Sequence, residues 1–414
     1  METSPTTDVA KEEILADAEG LQVAMDGVYA TMYNRLDFVA ANAHQCFGNM
    51  AVTLAADLMG DDMVQTAQGA GWFWKDYNYD QRSRYTSKIW RCYFTWKYFY
   101  EIISNVNYII SASETATGDE NEILCTTAQA YAARAFSYFM LIQSFQQTFV
   151  GHEDLPGVPI YTEPTSASST GNKRASVRQV YALIDNDLEI AVAMFGKCGI
   201  KRKHISNFDL YSTSLLQARV ALVENDWGKA VQAAEKAIST PDASLLTRSD
   251  ATVTKGTFDD STTEWTTGKT PFNSVQSSSV MWGAEIISDQ STVFASFFSN
   301  MDACTNVYYA AEAPKCISNW LYAQIPDSDI RKGWNGNIGK SAKEWKYGAN
   351  INYNQFKFQW ADQKSYKGDY IFMRLEEAYL ILAEALCRQG NDSEAKDALG
   401  EVMSRRDPNW HDTL

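Results

Sequence analysis

The sequence predicts an all-α protein: a tetratricopeptide-like helical repeat superhelix with one long, irregular, loop-rich insertion. Three observations predict it. Residues 211–238 and 374–406 match one another at their spaced small and apolar residues and at their turns. Apolar residues recur at helical spacing over most of the remaining length, and one stretch, roughly 241–368, loses that period.

Residues 20–45 and 86–112 carry long mixed apolar patterns without internal proline and are expected as helices. In 124–145, Tyr131, Ala135, Tyr138, Ile142 and Phe145 recur at alternating steps of four and three, which is one helix face. A turn-rich stretch from Gly151 to Gly171 follows, containing Pro156, Pro159 and Pro164. Ser176 with Gln179 forms a capping box, and behind it Val177, Tyr181, Ile184, Leu188, Ala191 and Phe195 line a single face.

The matching segments carry the repeat. Ala218 is followed twelve positions later by Ala230, and Ala383 twelve positions later by Ala395. Ala234 corresponds to Leu399, Ala237 to Val402, and the turn Asn225-Asp226 to Gly390-Asn391. A small residue is needed where the second helix of a unit crosses the first, and another where the next unit packs. Such units cannot bury their faces alone, so helices in 86–145 and 176–195 are expected to stack with them. The insertion at 241–368 is rich in Ser, Thr, Asn, Gly and aromatics. Six of the twelve tryptophans fall there: Trp265, Trp282, Trp320, Trp334, Trp345 and Trp360. A long insertion between repeats is expected to run over the surface of the array, where loops carry function.

Charge and composition narrow the function. With 36 Lys+Arg against 51 Asp+Glu the net charge is −15, which argues against a nucleic-acid binder. No stretch approaches the roughly 18 apolar residues of a membrane span. The start, Met1 to Thr7, has neither the basic nor the apolar region of a signal peptide, so a cytosolic protein and a mature exported chain both fit. The seven cysteines, Cys46, Cys92, Cys125, Cys198, Cys304, Cys316 and Cys387, form no CxxC pair. Those at 92, 125 and 387 sit in apolar helical patterns and are expected as buried free thiols, while Cys304 and Cys316 could pair.

The four histidines are widely scattered, and no nucleophile elbow, phosphate loop or dinucleotide fingerprint is present. Neither a metal nor a cofactor is expected. Asp57, Asp61 and Asp62 lack the ligand order of a calcium loop and are read as a solvated acidic turn. A carboxylate pair for glycoside hydrolysis stays open, since the separation of two acids is a tertiary fact. The positive signal is aromatic. Trp72, Trp74, Tyr77 and Tyr79 lie in GAGWFWKDYNYD, after Gly69 and Gly71. Flat rings beside Asp, Asn and Lys suit a sugar, whose C–H face stacks on an indole while polar neighbours bond its hydroxyls. Trp90 and Trp96 sit in a helical pattern and Trp227 at the repeat turn, where packing accounts for them.

Several segments in their order resemble the SusD/RagB family of outer-membrane nutrient-binding lipoproteins. They include GDYIFMRLEEAYLILAEALCRQGNDSEAKDALGEVMSRR, with Asp369, Arg374, Glu376, Glu377, Tyr379, Ala383 and Glu384 placed as in that family's late helix. AQAYAARAFSYFMLIQSF runs into LPGVPI, and RASVRQVYALIDNDLEIAV follows. TSPTT (Thr3–Thr7), GVYATMY (Gly27–Tyr33) and IWRCYFTWKYFYEIISNVNYII (Ile89–Ile110) complete the set.

The resemblance implies a single domain over 1–414, with helical repeats at about 20–240 and 369–406, and loops of the 241–368 insertion bearing the ligand site. It implies a non-enzymatic binder of glycans, in some cases of peptides, that passes its ligand to a TonB-dependent SusC-like transporter. It also implies a lipid anchor just upstream of the chain, on the extracellular face of the outer membrane. The family's lipidated cysteine is missing near residue 1, and its continuation beyond the late repeat is expected to be absent, since the chain stops at RRDPNWHDTL. Binding loops vary within the family, so the candidate ligand residues are chosen by position and chemistry. They are Trp72 and Trp74 after the DLMGDDM turn, Trp282, Trp320 and Trp334 from the insertion, and Asp61 and Asn78 as polar partners.

Overall fold

The computed structural model describes residues 13–36, 40–80, 89–166, 168–259, 264–266, 268–290, 294–304, 308–337, 352–362 and 364–411. Helices dominate, and the chain divides into two compact units. The first comprises Met1–Thr31, Thr95–Pro241 and Glu377–Ala395; the second comprises Met32–Phe94, Asp242–Glu376 and Lys396–Leu414.

The first unit holds the earlier repeat and the later one as far as Ala395; the rest of the last helix belongs to the second unit. Asp119 caps the helix Glu120–Phe145 by accepting from the backbone N–H groups of Asn121 and Glu122. The Ser176–Gln179 box starts the helix Val177–Cys198, which ends on Gly199 in the left-handed region at φ 65°. These two long helices and Trp90–Ser113 are tied by one buried network. The Arg134 guanidinium donates to both carboxylate oxygens of Asp187 at 2.8 Å and to the Asn107 amide oxygen at 2.9 Å. The paired helices Leu210–Glu224 and Trp227–Ile238 bury Ala218 and Ala230 completely, and the chain reverses through Asn225 at φ 61°. That is the small-residue burial expected from the twelve-residue spacing. The later pair, Leu375–Arg388 and Asp392–Arg406, reverses at Gly390, φ 80°.

Two expectations change. The apolar pattern over 20–45 is not one helix: Ala18–Tyr33 ends, and Ala40–Gln45 is a 3₁₀ segment with non-helical Asn42. The Leu36 N–H donates to the Cys46 carbonyl at 2.8 Å, so the chain doubles back within that span. An apolar pattern without proline reports a buried face but not where the chain turns. The second concerns 241–368, which is more than a surface excursion. With 32–94 it packs a core of its own, in which Phe47, Leu54, Phe73, Phe298, Trp360 and Tyr370 meet. A smaller cluster gathers Leu246, Val253, Phe272, Cys304 and Phe356.

In this second unit short strands replace long helices. Met63–Gln65, Lys315–Ile317, Asn354–Gln355 and Asn335–Gly336 form a four-stranded antiparallel sheet in that order. Val280–Ala284 pairs with Tyr370–Arg374. The Asp369 carboxylate accepts from the backbone N–H groups of Val275 (2.9 Å) and Ile286 (3.0 Å), which anchors the strand that follows it to the insertion.

None of the seven cysteines is in a disulfide, so the Cys304–Cys316 bridge is not formed, and Cys387, expected buried, is exposed because it lies off the apolar face of its helix. Trp345 and Thr3–Thr7 lie outside the described residues, as does the side chain of Trp265.

Candidate functional site

The aromatic run predicted as a loop at 69–80 contains a short helix, Trp74–Tyr77, and is held from beneath. Phe73 adopts φ 58°, an uncommon conformation for a non-glycine residue, and three contacts fix it there. Its N–H donates to Gln45 Oε1 at 2.6 Å, its fully buried ring packs on Phe47 at 5.9 Å, and the Arg91 guanidinium lies 4.9 Å over it. Arg91 donates to both oxygens of the buried Asp76 carboxylate, at 3.0 and 3.1 Å, and to the Gln45 carbonyl at 3.0 Å. Phe73 and Asp76 therefore point inward and anchor the segment. Trp72, Trp74 and Tyr77 between and beside them remain only partly covered. Upstream, Gly69 at φ 52° passes so close to Glu312 and Ala313 that a Cβ would sit 3.0 and 3.1 Å from theirs.

A short ladder then joins this loop to the insertion. Met63–Gln65 pairs with Lys315–Ile317, and two further backbone bonds extend it, from Ser318 N–H to the Asp62 carbonyl (2.8 Å) and from Thr66 N–H to the Pro314 carbonyl (3.1 Å). At about 3.3 Å per residue the four steps from Asp62 to Thr66 span roughly 13 Å. Each end carries aromatic surface.

At the Thr66 end four rings converge. Trp72 lies 5.1 Å from His44 and 5.5 Å from Tyr309, and His44 stacks on Phe294 at 5.7 Å with planes 17° apart. The His44 Nδ1 and Tyr309 hydroxyl are 2.6 Å apart. Burial, reinforced by the Arg35 charge, holds the His44 imidazole below its usual value, and burial raises the Tyr309 phenol, so both are neutral at pH 7. Phe294 is 42% exposed at the edge of the cluster. The result is a neutral aromatic surface with a hydroxyl and an imidazole set in it.

At the Asp62 end the exposed acidic turn of Asp61 and Asp62 meets the start of the helix Asn319–Gln324. Trp320, 64% exposed, stands on its first turn.

The seven candidates thus separate. Trp72 joins the ring cluster, and Asp61 and Trp320 share the opposite end of the ladder. Trp74 packs beside Tyr77 at 5.7 Å, and Asn78 donates its side-chain amide to the Trp74 carbonyl at 2.7 Å, which closes that short turn. Trp334 donates its indole N–H to the Ala251 carbonyl at 2.8 Å, packs edge-on to Phe272, and turns its remaining surface to a cavity. Trp282 is a correction. It is fully buried on the Val280–Ala284 strand against Phe372, 4.7 Å away, and offers no face to a ligand. His44, Phe294 and Tyr309 were not singled out from the sequence. They come from three separated segments, and no spacing announces that these segments meet. Among the described residues no group of three or more His, Cys, Asp or Glu is placed to hold a metal ion.

Comparison with known proteins agrees with this architecture. Residues 12–202 match a SusD-like family described as starch-binding and associating with the outer membrane. The chain is 26% identical over 239 residues to SusD-like protein P2 of Formosa agariphila, an alignment covering 58% of this chain and 43% of that protein's length. It therefore spans less than half of that relative. A SusD-like carbohydrate binding protein from Bacteroides vulgatus superposes with a TM-score of 0.80 at 24% identity, over 96% of this chain and 77% of the other. Surface glycan-binding protein A from Bacteroides uniformis superposes at 0.67 and 17% identity, over 94% of this chain and 80% of its own. Residues 12–202, just under half of the chain, thus match the SusD-like family model, and nearly the whole length shares the fold of a SusD-like carbohydrate binding protein.

Proposed function

We propose that this protein captures oligo- or polysaccharide at the cell surface by ring stacking and hydroxyl hydrogen bonds, and passes it to a TonB-dependent, SusC-like outer-membrane transporter. The observation that carries the reading is the ladder with aromatic surface at both ends. The exposed Trp320 beside the Asp61 turn stands at one end, and the His44–Trp72–Phe294–Tyr309 cluster at the other. A pyranose offers an apolar face and a polar rim, and each end offers rings with hydrogen-bonding groups beside them. Support also comes from the family's description as starch-binding and outer-membrane-associated, and from relatives named for carbohydrate or glycan binding. A lipid anchor upstream of the chain and a non-catalytic role belong to the same proposal.

Binding without turnover needs only millimolar to micromolar affinity, about −4 to −8 kcal/mol. Isothermal titration against maltoheptaose and a panel of neutral glucans tests it. Trp320→Ala and Phe294→Ala should each weaken binding by about 1 kcal/mol, roughly fivefold. Unchanged affinity in both variants removes the ladder from the site. Sustained release of reducing ends during incubation would replace the binder with a hydrolase. Transfer is tested by reconstitution with the cognate SusC-like barrel, whose glycan uptake should fall when this protein is omitted.

A further inference from the structure

The cavity that Trp334 helps to line encloses about 420 Å³ in the second unit. Its walls are largely apolar, with Met63, Ile317, Leu321, Ile325 and Phe358 among them. Two lysines are set in that lining.

Lys315 lies on the strand paired with Met63–Gln65 and is 2% exposed. Its ammonium donates to the Ala313 carbonyl at 3.3 Å, and no carboxylate among the described residues pairs with it. Lys357 lies over the rings of Phe358 (4.7 Å) and Phe272 (4.8 Å), likewise without a carboxylate at ion-pair distance among the described residues. The third cation of the lining, Arg331, is already matched by the Asp329 carboxylate, at 2.5 Å. The one acidic residue in the lining, Asp62, is exposed. A chain of net charge −15 thus keeps one buried and one half-buried lysine in one largely apolar cavity, neither with a carboxylate at ion-pair distance among the described residues. Buried charges are ordinarily paired, and a lysine amine offers three donors where Lys315 uses one.

We propose that this cavity takes the anionic group of an acidic sugar, a carboxylate or a sulfate ester, with Lys315 as its counter-ion, Lys357 as the second cation, and the Trp334 and Phe358 rings against the sugar's apolar face. The proposal rests on the glycan-binding reading and narrows its ligand class. A neutral glycan has no use for two unpaired ammoniums. At physiological salt the repulsion of the remaining surface is screened beyond about 8 Å, so local charge decides whether an acidic unit enters. Desolvation holds both lysines down to about 7, at Lys357 together with the Arg374 and Arg406 charges and against the Asp57 and Glu376 carboxylates, and an entering anion would raise them.

The test titrates the full chain with an oligogalacturonate, a sulfated galactan oligosaccharide and maltoheptaose, using wild type, Lys315→Met, Lys357→Met and Trp320→Ala. At least one acidic ligand should bind the wild type, tenfold or more weaker in Lys315→Met and weaker in Lys357→Met, while maltoheptaose affinity stays within twofold in both. The two acidic ligands separate carboxylate from sulfate. Lys315→Met should also unfold at the same or a higher urea concentration, since it removes a desolvated charge. Marked destabilisation would assign Lys315 to the fold and overturn the proposal. Acidic ligands that bind no better than maltoheptaose, or equally well to both methionine variants, also overturn it and leave the glycan reading standing. Failure of every oligosaccharide to bind the wild type removes both.

Discussion

Trp320 and Trp282 carry the same ring to opposite ends. Trp320, 64% exposed, follows the strand Lys315–Ile317 on a helix too short to bury a face. Trp282 sits mid-strand under Phe372 and is wholly enclosed. Trp282→Ala should therefore cost about 3–5 kcal/mol, whereas Trp320→Ala should change stability by no more than about 0.5 kcal/mol. Urea unfolding of the two variants checks this, and a destabilised Trp320→Ala would mean the ring serves packing. Lys315 makes a prediction of a different kind. Its folded value, about 7, lies below the ordinary lysine value near 10.4. Between these limits the unfolded chain holds the extra proton, so this residue makes stability rise as pH rises from about 7 toward 10. Comparing wild type with Lys315→Met across that range isolates the slope; parallel profiles would remove it.

At the scale of elements, the segment carrying Trp72 and Trp74 depends on a buried ion pair beneath it. Arg91 and Asp76 are 8% and 1% exposed and bonded at two points. Arg91→Met leaves a buried carboxylate without its partner, so a loss of about 3–5 kcal/mol is expected. Because the same guanidinium holds Gln45, and Gln45 holds the strained Phe73, glycan affinity should fall as well. The Arg91→Met/Asp76→Asn double variant should recover part of the stability, as it removes the stranded charge. Stability unchanged in the single variant would show that the loop is held by its apolar contacts alone. The repeat helices were the most legible elements. Spaced alanines, a capping box and turn residues are local signals, and Ala218, Ala230, Ser176 and Asn225 do what those signals say. The 20–45 segment was not legible, because its bend is set by the Leu36–Cys46 backbone bond rather than by any local breaker.

For the whole molecule, seven cysteines in a chain proposed to work outside the cell invite disulfides, yet all are free and six are at least partly buried. Thermal unfolding with and without reductant should coincide, and the denatured chain should titrate seven thiols. Five thiols would reveal one bridge. The aromatic load, 12 Trp, 22 Tyr and 19 Phe, is divided by the fold between enclosed rings such as Trp360 and Tyr98 and exposed ones such as Trp320 and Phe294. By itself the sequence determined the helical repeats, the resemblance to SusD-like proteins and the concentration of aromatic residues in two segments, because these are written in residue spacing and type. Tertiary structure alone decided which rings meet. His44, Trp72, Phe294 and Tyr309 are brought together by a ladder between residues some 250 positions apart, and the Lys315 cavity is lined by residues of that ladder together with Trp334. Pairing between such distant strands depends on which surfaces the rest of the chain leaves to be buried, and no local pattern encodes that.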